Sequence, residues 1–144
     1  MKKILTNSFE ETQNLGIELA RKLNGGEVLT LHGDLGSGKT TFMQGLAKGL
    51  GIKRRIISPT FIIMRTYDIE NKESKIENLY HVDLYRIESE NDVDGLGLME
   101  LLGEKENIVA IEWPDKIEHL LPENKIDIYF EYLEDDKRSI TFSH

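Results

Sequence analysis

The sequence predicts an α/β fold built on a central sheet that mixes parallel and antiparallel strands. Three observations carry that prediction. A β-rich run, Glu27 to His32, leads into the glycine-rich string Gly33-Asp34-Leu35-Gly36-Ser37-Gly38-Lys39-Thr40, and an amphipathic helical stretch follows it at once. A continuous apolar run, Ile108-Val109-Ala110-Ile111, has the pattern of a central strand buried on both faces. Two pairs of β-rich segments, around the polar turns Asn71-Lys72-Glu73-Ser74 and Glu134-Asp135-Asp136-Lys137, read as hairpins and add antiparallel neighbours that a simple βαβ array lacks.

Composition sets the bounds. With 144 residues the chain reads as one domain, residues 1–144, of a size that buries roughly 68–70% of its unfolded surface without staples. There is no cysteine, which excludes a disulfide framework and a thiolate metal site and makes the cytosol the expected compartment. No apolar run suits a signal peptide or reaches the ~18 residues of a membrane span, so a soluble cytoplasmic protein is expected. A formal net charge of −8 argues against a broad nucleic-acid surface, because neutralising phosphates needs clustered Lys and Arg. The one compact basic cluster, Lys53-Arg54-Arg55, reads as a solvated helix exit.

Taken in order, Ser8-Phe9-Glu10-Glu11 fits a capping box, and the helix it opens should run from about Phe9 to Leu23 with Leu15, Leu19 and Leu23 on one stripe. Asn24-Gly25-Gly26 ends it. Glu27 to His32 is the strand that delivers the glycine-rich loop, with His32 a packed strand-end residue. Thr41 to Leu50 should be helical, with Phe42, Leu46 and Leu50 inward and Gly49 and Gly51 as its stop. Pro59 forces Ser58 out of helical geometry, so Ile56 to Phe61 is a loop whose hydroxyls have the makings of a phosphate-sensing switch. Phe61 to Asp68 and Ile76 to Tyr85 form the first hairpin, and Asn91 to Leu102, broken by Gly95 and Gly97, one or two short helices. Asp115 to Leu121 should be a short helix burying Ile117, Leu120 and Leu121. Lys125 to Leu133 alternates Ile126, Ile128, Phe130 and Tyr132 inward and pairs with Arg138 to Phe142.

The chemistry sits in the loop. Gly33, Gly36 and Gly38 allow backbone turns that let N–H groups converge on a phosphate chain, and the next helix adds its unpaired amides and the positive end of its dipole. Lys39 then supplies charge to the β- and γ-phosphates and the Thr40 hydroxyl ligates Mg²⁺. A metal shell of this kind is completed by an acid at the exit of a nearby strand, and two compete: Asp83 in His81-Val82-Asp83-Leu84-Tyr85-Arg86 and Glu112 after the buried apolar run. Trp113, the only tryptophan, follows Glu112 and reads as a core-edge residue placed where contact with nucleotide or partner is within reach.

Two strings imitate GTPases. Asn124-Lys125-Ile126-Asp127 matches a guanine-reading pattern and Asp92-Val93-Asp94-Gly95 a switch pattern, but the first lies within a strand's alternation and the second lacks a strand leading into it. A small-molecule kinase needs a lid for which the chain lacks obvious room, and a module using nucleotide only as a structural ligand is the remaining alternative.

Together the strings GDLGSGKTTF, SPTF, HVDLYR, GLGLMELL and IEWPDKI followed by LLP resemble the TsaE family, also called YjeE or YdiB, over nearly the whole chain. The resemblance implies a P-loop NTPase fold, a three-layer sandwich around a mixed sheet. It implies a cytoplasmic ATPase, weak alone, that depends on ATP and Mg²⁺ and works in making threonylcarbamoyladenosine (t6A) at position 37 of tRNAs that read ANN codons. The implied partners are TsaD, which transfers the threonylcarbamoyl group, and TsaB, with tRNA reached through them and the ATP cycle resetting the pair between turnovers. Carried over by position, Asp34 to Thr41 hold the phosphates with Lys39, Thr40 and Glu112 are the Mg²⁺ ligands, and Asp83 becomes a water-positioning acid. Ser58 and Thr60 match the family's switch segment and Trp113 its required tryptophan; Ser8 to Thr12 falls near the adenine side. Ser37 stands where the family usually has Ala, and Asn91 to Gly95 departs from the usual acidic helix.

Overall fold

A computed structural model describes residues 1–57 and 63–143. Seven strands form one sheet: β1 (Lys2–Thr6), β2 (Val28–His32), β3 (Met64–Asp68), β4 (Asn78–Asp83), β5 (Asn107–Glu112), β6 (Ile126–Glu134) and β7 (Lys137–Ser143), in the spatial order β1-β7-β6-β2-β5-β4-β3. The four middle strands, β6, β2, β5 and β4, run parallel, and antiparallel pairs extend the sheet at both ends. Every residue of β5 is buried, as its unbroken apolar run requires between two parallel neighbours.

Side chains alternate between two cores along each strand. Leu29, Ile108 and Ala110 join a cluster with Phe42, Met43 and Leu46, while Val28, Val109 and Ile111 join another with Val93, Leu98 and Ile117. Two helices, α1 (Phe9–Lys22) and α2 (Lys39–Gly49), cover the first face. Two short ones, α3 (Asn91–Asp94) and α4 (Leu98–Leu101), and a 3₁₀ turn at Pro114–Leu120 cover the second. The result is the expected three-layer α/β arrangement with a mixed sheet.

Most elements fall where the sequence places them, and the departures have physical causes. Ser8 caps α1 by accepting from the Glu11 amide at 3.2 Å, but the Glu11 carboxylate reaches back to the Asn7 amide, one residue earlier than a capping box specifies. Helix α2 begins at Lys39, two residues before the reading from sequence, and ends at Gly49, with Gly51 at φ +87° just past the cap Leu50 as the expected stop. Gly49 and Gly45 are packing residues: a Cβ on Gly45 would lie 1.9 Å from the Gln13 carbonyl oxygen and one on Gly49 2.6 Å from Ala20 Cβ, so α1 and α2 touch backbone to backbone. Strand β1 is absent from the reading because its residues are mostly exposed and leave no hydrophobic period; pairing with β7, Leu5 opposite Ser139, holds it. The expected helix after Trp113 is a kinked 3₁₀ turn, and Leu120 faces outward at 36% exposure. Tyr132 is also exposed: it keeps the alternation, in register opposite Arg138, but stands at the end of the regular pairing of β6, which shifts between Tyr132 and Glu134. The loop expected at Ile56 to Phe61, including Ser58 and Thr60, lies largely outside the described residues.

Candidate functional site

The site begins at the C-terminal end of β2, where Gly33 leaves the sheet. Gly38 caps α2 at φ +108°, a conformation that a side chain disfavours, and no side chain caps the helix. The first helical bond runs from the Phe42 amide to the Gly38 carbonyl at 3.0 Å. Among the described residues the amides of Lys39, Thr40 and Thr41 have no backbone acceptor, so the 11-residue helix presents its positive end to the cavity in front of it.

Lys39 is buried at 5% exposure and held from three sides. Its Nζ donates to the Gly33 carbonyl at 2.6 Å, lies 3.7 Å from Glu112 Oε1 and sits 4.3 Å from the centroid of the Trp113 ring. Burial lowers its pKa, against the opposing pull of Glu112, Asp83 and Asp34.

Glu112 and Asp83 are register partners at the ends of adjacent parallel strands, so both carboxylates face the same side. Both are buried, at 4% and 5% exposure, and both line one cavity of about 230 Å³ with Gly36, Gly38, Lys39 and Thr40. The two acids that compete in the sequence are neighbours in one site. Glu112 Oε2 contacts His81 Nε2 at 2.5 Å, and Asp83 Oδ1 accepts from the Tyr85 amide at 2.9 Å. Trp113 adopts a left-handed backbone (φ 55°, ψ 57°) before Pro114, which turns its ring back over Lys39 and against Tyr85, 5.1 Å between centroids. It is part of the site rather than an edge of the core.

The donor set suits Mg²⁺ bound with a phosphate chain. Thr40 offers a hydroxyl and Glu112 and Asp83 carboxylates, whereas among the described residues no three acidic, His or Cys side chains form a self-sufficient cage. Mg²⁺ characteristically takes one or two protein carboxylates and leaves its remaining positions to substrate phosphates and water.

Residues 6–140 match the family model for "Threonylcarbamoyl adenosine biosynthesis protein TsaE". The chain belongs to the TsaE family. It is 42% identical over 134 residues to the tRNA threonylcarbamoyladenosine biosynthesis protein TsaE of Bacillus subtilis, spanning 93% of this chain and 80% of the relative. It is 35% identical over 139 residues to the TsaE protein of Treponema pallidum, spanning 96% of this chain and 98% of the relative. The crystal structure of Bacillus subtilis YdiB superposes with a TM-score of 0.73 at 36% identity, covering 98% of this chain and 83% of that one.

Family membership and geometry agree on where the GTPase-like strings belong. Asp127 lies in β6 and accepts from the Thr30 hydroxyl, and Lys125 pairs with Glu118 at 3.2 Å and with Asp127 at 3.8 Å, so Lys125 and Asp127 of the apparent guanine-reading string are engaged with one another and with their neighbours in the fold. Asp92 accepts from the Glu88 and Ser89 amides and shapes the turn into α3. His32 is the packed strand-end residue expected, stacked on Tyr129 with 4.5 Å between centroids. Leu35 is 79% exposed, Asp34 and Thr40 are also exposed, and the Ser37 hydroxyl is buried without a partner among the described residues.

Two residues of this site in a TsaE chain escape the sequence reading. His81 carries a signal, since its place two residues before Asp83 puts it on the same face of β4. Arg138 carries none: it enters the cavity from β7, alongside Phe9 at the start of α1.

Proposed function

We propose that this chain is the ATPase subunit of t6A biosynthesis, binding ATP with Mg²⁺ and hydrolysing it slowly until TsaD and TsaB are present. The single observation behind this reading is the convergence of Lys39, Thr40, Glu112 and Asp83 on one cavity at an uncapped helix N-terminus. In this reading the amides from Gly36 to Thr41 and the Lys39 ammonium hold the β- and γ-phosphates. Thr40 and Glu112 would hold Mg²⁺, which when bound neutralises charge developing on the phosphates. Asp83, buried beside Glu112, positions the attacking water and takes its proton. The name shared by the relatives, a tRNA threonylcarbamoyladenosine biosynthesis protein, supports the pathway. A net charge of −8 supports protein rather than tRNA as the direct partner. The ATP cycle then resets the TsaD–TsaB pair in the cytoplasm, while the threonylcarbamoyl transfer belongs to TsaD.

The test is reconstitution with TsaD, TsaB, tRNA, Mg²⁺ and ATP. Expected are phosphate release stimulated by the partners and repeated rounds of t6A formation, both lost with Lys39→Ala or Glu112→Ala. Equal activity of these variants, or a preference for GTP, overturns the reading.

A further inference from the structure

Positive charge without a carboxylate to answer it gathers at one edge of the sheet. Lys53, Arg54 and Arg55, just past α2, are all exposed. Arg65 stands on β3, the outermost strand at that end, partly buried and with its Nε buried without a hydrogen-bond partner. Among the described residues no Asp or Glu comes within 4.0 Å of any of the four as an ion pair. One ring draws them together. Arg65 and Tyr67 share a face of β3, and the Arg54 guanidinium carbon lies 5.3 Å from the Tyr67 ring centroid. The Tyr67 hydroxyl accepts from the Ile57 amide at 3.2 Å and faces the Ile57 carbonyl at 3.3 Å, which pins Ile57, 50% exposed, beside the cations.

A cationic surface on a chain of net charge −8 is a local feature set against the charge of the whole. That contrast selects the partner. A nucleic acid is repelled by the acidic molecule at long range, and four cations neutralise only a handful of its phosphates. An acidic protein face meets the cluster at short range, within the ~8–10 Å over which exposed charges act at physiological salt. Arg54, Arg55 and Arg65 can each grip a carboxylate with two parallel donors, and Ile57 supplies the apolar contact that a protein interface uses and a phosphate backbone does not. We propose that Lys53, Arg54, Arg55 and Arg65 dock an acidic face of a protein partner, the TsaD–TsaB pair in the reading above, on which this assignment rests. Arg55 precedes and Arg65 follows residues 58–62, whose hydroxyls the sequence reads as a phosphate-sensing switch, so a partner on this surface holds the chain on both sides of that segment.

Binding of the full chain with Mg²⁺ and ATP to immobilised TsaD–TsaB, from about 50 to 500 mM NaCl, tests this. Expected for the triple variant Lys53→Glu, Arg54→Glu, Arg55→Glu is an association rate lower by about tenfold or more at low salt, a gap that closes as NaCl rises. The milder pair Lys53→Gln, Arg55→Gln keeps Arg54 over Tyr67 and should lose less in the same sense; adding Arg65→Gln should deepen the loss. Each variant alone should bind Mg²⁺ and ATP as wild type does, since none of these side chains lines the nucleotide cavity. Partner binding equal to wild type in all variants overturns the assignment, and so does a loss that salt leaves unchanged. Binding of tRNA, or self-association, that the triple variant abolishes while TsaD–TsaB binding stays intact gives the surface to RNA or to a second copy and overturns it too. Wild-type protein that fails to bind TsaD–TsaB at every salt concentration overturns the partner reading itself, so the two failures are distinguishable.

Discussion

His81 Nε2 and Glu112 Oε2 stand 2.5 Å apart, and the imidazole that makes this contact is 0% exposed. With the carboxylate ionised, the ring proton must lie on Nε2, so His81 donates and aims the other oxygen, Oε1, toward Lys39 at 3.7 Å. His81→Phe removes the donor and leaves a buried carboxylate short of a partner, at a cost of about 1–3 kcal/mol. Urea denaturation should show that loss, and in the proposed reading nucleotide titrations should reach full affinity only at higher Mg²⁺. His81→Gln, which can donate from the same side, should recover part of both.

Lys39 gives a pH dependence of stability. Burial lowers its pKa from the ordinary 10.5. Between the lowered value and 10.5 the unfolded chain therefore holds more protons at this site than the folded one, so stability from Lys39 rises as pH rises through that window. Melting temperatures of wild type and Lys39→Gln, measured in parallel over the alkaline range, should show a difference that shifts in favour of wild type toward pH 10.5. A difference that moves in favour of Lys39→Gln with rising pH contradicts the assigned direction.

The α1–α2 contact makes a prediction independent of nucleotide. Gly45→Ala places a Cβ 1.9 Å from the Gln13 carbonyl, which belongs to helix backbone and has no rotamer to escape into. The helices must separate, and overpacking of this kind costs about 1–3 kcal/mol or more. Chemical denaturation should show a lower midpoint, and because the glycine-rich loop runs directly into α2, nucleotide affinity should fall with it in the proposed reading.

What the sequence makes legible follows from range. The loop, its strand and its helix are contiguous, and the run from Ile108 to Ile111 announces a central strand and hence the position of Glu112. Asp83 and Glu112 each show as acids at strand ends, but that they share a cavity depends on β4–β5 register, which no local pattern encodes. His81 meets Glu112 across 31 residues by the same register. Arg138 reaches the loop only because β7 lies beyond β6, beside β2. Strand β1 and the exposure of Tyr132 escape for another reason: an exposed edge carries no hydrophobic period to read, and a period does not say where along β6 the core ends.

Trp113 converts the site's geometry into a signal. It is the only tryptophan, and its ring lies 4.3 Å from the Lys39 ammonium and 5.1 Å from the Tyr85 ring. In the proposed reading the Lys39 ammonium moves onto the phosphates, which takes a cation off the indole face and must change its emission. Titration with ATP and Mg²⁺ should therefore shift or quench Trp113 fluorescence saturably, GTP should do so only at higher concentration, and Lys39→Met should abolish the response while leaving the indole in place. A full response in Lys39→Met separates the fluorescence from the ammonium and removes Lys39 from the phosphate site.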